Sequence, residues 1–75
     1  MVVKVVPGKN LVVVVCQGHL IIAYSNKFHR AVNLNMIKDM NKILERVPPE
    51  IVDYVVETLK EAQENGEINI QIQAP

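Results

Sequence analysis

The stretch Leu11-Val-Val-Val-Val-Cys16, Gln17-Gly18, His19-Leu-Ile-Ile-Ala-Tyr24 decides the fold. Two runs rich in β-branched residues, joined by two residues of which the second is glycine, predict an antiparallel hairpin with a tight turn. Pairing across that turn sets Cys16 opposite His19, Val15 opposite Leu20, Val14 opposite Ile21, and so on to Leu11 opposite Tyr24. One face then carries Leu11, Val13, Val15, Leu20, Ile22 and Tyr24, uniformly bulky and assigned to the core. The other carries Val12, Val14, Cys16, His19, Ile21 and Ala23. A strand wetted on one face alternates apolar and polar residues. These runs are apolar throughout, which predicts cover on both faces. A chain of 75 residues has scant material for two covering layers, so part of the cover is expected from another molecule.

Working outward, Met1 to Val6 reads as a first strand ended by Pro7-Gly8, a favourable turn pair. An odd-length connection to the hairpin would place Val3 and Val5 on the core face and Lys4 on the other, the cheaper arrangement for a charge. Ser25 to Asn33 reads as a polar loop, with Asn33 as an N-cap. Met36, Ile37, Met40, Ile43, Leu44 and Val47 then share one side of a helical wheel. Pro48-Pro49 stops this helix and starts the next, whose apolar stripe is Ile51, Val52, Val55, Val56, Leu59 and Ala62. Asn65-Gly66 supplies a left-handed terminator. Glu67 to Gln73 alternates strictly, with Ile68, Ile70 and Ile72 on one face, as an edge strand would, and its expected neighbour is the first or the third strand. The order is β-β-β-α-α-β. This predicts a single α+β domain over residues 1–75, with an antiparallel sheet of three to four strands on a helical hairpin.

Composition narrows the function classes. Met1-Val-Val-Lys4 lacks the pattern of a secretory leader. The longest apolar stretch is broken at Gln17-Gly18-His19 and is shorter than the roughly 20 residues of a membrane helix. With Cys16 the one cysteine, a reducing cytoplasmic setting away from membranes is expected, without a disulfide framework or structural zinc. The formal net charge is zero, yet residues 1–38 carry +5 and residues 39–75 carry −5. That partition suits an anionic partner for one half, or contacts between copies.

Hairpin geometry brings Lys9 and Asn10 towards Ser25, Asn26, Lys27, Phe28, His29 and Arg30, with the N-terminus of the first helix expected beside them. Lys9, Lys27, Phe28, His29 and Arg30 are thus candidates for binding an anion, a nucleic-acid backbone or an acidic protein. An ordinary solvated loop is the plainer reading. Cys16 and His19 flank the turn as cross-strand neighbours and could serve a metal only with a second such pair. The plainer expectation for them is a small buried cysteine beside a partly exposed histidine, and no metal. Glu50, Asp53, Glu57, Glu61 and Glu64 line one side of the second helix, a solvated stripe rather than a catalytic pair. There is no glycine-rich phosphate loop, nucleophile elbow or Ser/His/Asp arrangement, and turns account for all three glycines. The expected function is a non-enzymatic, cofactor-free adaptor that forms homo-oligomers, most simply a dimer, through Val12, Val14, Ile21 and Ala23, with Val2 and Val6 nearby. The competing expectation is a small nucleic-acid- or anion-binding regulator using Lys9, Lys27 and Arg30.

Overall fold

The computed structural model describes residues 1–24 and 27–71. Four strands, β1 (Val2–Val6), β2 (Leu11–Cys16), β3 (His19–Tyr24) and β4 (Lys27–Asn33), precede helix α1 (Met40–Leu44). A single 3₁₀ turn, Pro49–Ile51, then leads into helix α2 (Val52–Glu64). The strands form one antiparallel meander in which spatial order equals chain order. The class is α+β, and one buried core joins Val2, Val6, Val13, Val15, Leu20 and Ile22 of the sheet to residues of both helices.

The central hairpin has the register read from the sequence, Cys16 opposite His19 through Leu11 opposite Tyr24. Gln17 (φ 51°) and Gly18 (φ 75°) both lie in the left-handed region, the signature of a type I′ turn whose twist matches its strands. Leu11, Val13, Val15, Leu20 and Ile22 are buried as expected, but Tyr24 is 39% exposed at the open end of the hairpin.

The first strand sits in the opposite phase to the expectation. The connection Pro7–Asn10 spans four residues, an even number, so Val6 meets Leu11 and Val2 meets Val15. Val2 and Val6 are therefore buried under the helices, while Val3 (50% exposed) and Val5 (67%) face outward. Lys4 shares the helix-side face, opposite Val13, and its Nζ reaches out to Glu61 Oε1 of α2 at 3.0 Å. A long flexible stem lets the charge escape the core it borders.

Residues 27–33 form a strand where a loop was expected. Ile22 pairs with Arg30 and Ala23 with Phe28, leaving His29 as the extra residue of a β-bulge. The bulge interrupts period-two alternation and hides the strand from a periodicity test. Asn33 does not cap a helix. Its side chain accepts from Asn35 N at 2.9 Å, and its carbonyl accepts from Met36 N and Ile37 N, closing one isolated turn. Leu34 is pinned to the hairpin by its N–H on Gly18 O, at 2.8 Å, and Met36 stands 80% exposed. The helix starts instead at Asp39, whose carboxylate accepts from Asn41 N at 2.9 Å.

Under the sheet, Ile43, Ile51, Val55, Leu59 and Ala62 are fully buried, and the buried Thr58 hydroxyl donates to Tyr54 O at 2.6 Å. Gly66 (φ 78°) follows the end of α2 as expected. The segment beyond does not join the sheet. Ile70 is buried and Asn69 exposed, so the alternation is real, but its partner is the start of α1: Met40 N donates to Gln71 O at 2.9 Å. Gln63 Oε1 accepts from Ile70 N at 2.7 Å, holding this segment to α2. The Met1 ammonium, 2.8 Å from Glu67 Oε1, holds that carboxyl below its ordinary value. Ile72 and Gln73 lie outside the described residues.

Candidate functional site

Three features remain once the core is accounted for: a cleft at one rim, a Cys/His pair at the other end, and the outer face of the sheet. The rim forms where the β1–β2 connection, the end of β3 and the bulge of β4 meet the entry to α2. Lys9, Leu11, Tyr24, His29, Pro48, Glu50 and Ile51 line a cleft of about 270 Å³. Leu11 and Ile51 are its apolar floor, at 4% and 0% exposure. The His29 ring packs edge-on against Tyr24, with centroids 5.2 Å apart and planes at 68°. Lys27 Nζ lies 5.8 Å from the Tyr24 ring centre, within cation–π range.

Of the sequence candidates, Lys9 and His29 meet in the cleft and Lys27 stands over its aromatic wall. Arg30 does not join them: its guanidinium donates to the Arg46 carbonyl just beyond α1, a structural contact between sheet and helix layer. Ser25, Asn26 and the side chain of Phe28 lie outside what the structure describes. The first helix does not close this rim either. Strand β4 carries the chain back to the Gln17–Gly18 end before it leaves the sheet, so the element completing the cleft is the start of α2. Leu11, Tyr24, Pro48, Glu50 and Ile51 are lining residues that the sequence reading does not name, because it sets the first helix rather than the entry to α2 at this rim. The Pro48-Pro49 pair was the one available signal that a helix entry would lie exposed here.

Cys16 and His19 are direct cross-strand partners, and both are half-buried. His19 Nδ1 lies 3.0 Å from Gln17 O, its own turn's carbonyl. Among the described residues no group of three potential metal ligands assembles, and His29 sits at the far end of the hairpin from Cys16. On α2, Asp53, Glu57, Glu61 and Glu64 are exposed. Glu61 meets Lys4, and nothing gathers these carboxylates into a cleft.

The outer sheet face inverts the usual arrangement. A two-layer antiparallel sheet normally turns polar residues to water. Here the register places every charged strand residue, Lys4, Lys27 and Arg30, opposite core-facing residues and so on the helix side. The outward set is Val3, Val5, Val12, Val14, Ile21, Ala23 and Ala31, with Cys16, His19 and Asn33 at one end. Val12, Val14, Ile21 and Ala23 are only half-buried, and Ala31 is exposed. Among the described residues no helix is long and apolar enough to cross a membrane. No family model, curated protein or solved structure matches the chain.

Proposed function

We propose that the protein is a non-enzymatic interaction module that self-associates, two copies stacking their outer sheet faces about a two-fold axis. The observation that carries this reading is the uncharged, aliphatic outer face, with both Val3 and Val5 at least half exposed. Four strands about 4.8 Å apart and six residues at about 3.4 Å each present a face roughly 19 by 20 Å. Stacked on a second copy, such a face buries on the order of 1,000 Å² in total, the threshold of a stable biological interface. The face is self-complementary, because Val14 and Ile21 are neighbours near its centre and a two-fold axis there repeats the same contacts. A reducing, cytoplasmic setting suits Cys16, which lies half-buried at the edge of this face.

The test is absolute mass by light scattering during gel filtration, on the native chain and on Val14→Lys with Ile21→Lys. The native protein is expected at twice its 8.5 kDa chain mass, and the double variant at the chain mass with an unchanged far-ultraviolet circular dichroism spectrum. A native monomer, or a dimer that survives both lysines, overturns the interface.

A further inference from the structure

We infer that the rim cleft between Lys9, Tyr24, His29 and Glu50 binds a nucleotide unit, either a free nucleotide or one residue of a single strand. The cleft lies on the helix side of the sheet, so this inference stands apart from the self-association of the outer face.

The backbone is arranged to make this cleft. A β-bulge re-aims the side chains that follow it, and bulges concentrate beside functional sites. Here the bulged residue is His29, and its ring packs against Tyr24, which shares the helix-side face, away from the outward course of Ala31 in the ladder. Tyr24 in turn stays 39% exposed, although it shares a face with fully buried Ile22 and Leu20. The part of Tyr24 that stays exposed, beside an apolar floor of Leu11 and Ile51, offers a planar ligand an aromatic contact surface.

Charge then orders the ligand. Lys9 and Lys27 stand on the sheet side, and Glu50 stands on the opposite wall at the entry to α2. A bare phosphate suits Lys9 but meets Glu50 and two aliphatic side chains. A purely apolar ligand suits the floor but strands Lys9 and Glu50. A nucleotide satisfies all of them: its phosphate on Lys9 and Lys27, its base against Tyr24, and an exocyclic amino group donating to Glu50. At about 270 Å³ the cleft is smaller than the usual range for drug-sized ligands, about 300–1,000 Å³, so it takes the base and leaves the phosphate outside, at the rim beside Lys9 and Lys27.

Amide chemical shifts of the native protein, titrated with AMP and separately with adenosine and inorganic phosphate, test the assignment. Anisotropy of a fluorescein-labelled ten-residue deoxyadenosine strand tests the polymeric source. AMP is expected to move Lys9, Tyr24, His29 and Ile51 together, with adenosine and phosphate each binding about tenfold more weakly or worse. Tyr24→Ala and Lys9→Ala are each expected to weaken AMP by about tenfold while the circular dichroism spectrum stays native. Val14→Lys with Ile21→Lys is expected to leave binding unchanged, which separates this site from the outer face. Binding of AMP alone through these residues identifies a free nucleotide. Binding of the strand alone, lost on either single substitution, identifies a single-stranded nucleic acid. Silence with both, scattered shifts, or equal response to phosphate and AMP overturns the site.

Discussion

At the scale of single residues, the turn and one lysine carry the most information. Gln17 holds a positive φ without the relief that glycine or asparagine enjoys there. Gln17→Asn is therefore expected to stabilise the fold by about 0.5 kcal/mol, read as a higher midpoint in urea. Gly18→Ala works the other way, because φ is +75° and the new Cβ would stand 2.9 Å from Asn35 Nδ2. A loss of about 1 kcal/mol or more is expected, and a neutral result would mean the turn is not type I′. Lys4 shows the limit of a rule applied residue by residue. A charge avoids the core face when nothing receives it, but here Glu61 waits 3.0 Å from its Nζ, on a helix more than fifty residues later. No local reading of Met1 to Val6 contains that partner.

At the scale of elements, the hairpin was legible because its register depends on two adjacent residues and a pattern that reaches into both strands. β4 was not, since the bulge at His29 removes the alternation by which strands are recognised. The misplaced start of α1 has a related cause. Asn33 and Asp39 are both good capping residues, and the apolar spacing from Leu34 onward fits a helix, but Leu34 is drawn to Gly18 by a tertiary hydrogen bond. Asp39→Ala should cost about 1 kcal/mol in urea unfolding, and Asn33→Ala should cost less, because only Asp39 caps a continuing helix. Equal costs would return the helix start to Asn33. The alternating segment from Glu67 shows that a pattern predicts which face is buried better than it predicts the neighbour: Ile70 is buried, but beside α1 and α2. The cleft inherits one of these errors, since His29 in its wall sits on the strand that the bulge conceals.

For the molecule as a whole, the helix side is a closed core and the outer side is not. Leu59 has no exposed surface within that core, and Leu59→Ala is expected to cost about 2–5 kcal/mol, a large share of the stability of so small a fold. If the outer faces pair, the melting temperature should rise with protein concentration in the native chain. It should be independent of concentration in Val14→Lys with Ile21→Lys, and a native melt that ignores concentration would argue against pairing. The meander carries one more consequence. Its spatial order is its chain order, so during synthesis all four strands emerge by Asn33, while Val55, Leu59 and Ala62 follow only with α2. At about 5–20 residues per second, the nascent sheet spends some seconds with both aliphatic sides bare. A ribosome-stalled chain whose residues 1–33 are carried past the exit tunnel by an unrelated linker should therefore be a chaperone client, and inserting residues 34–64 ahead of that linker should release it.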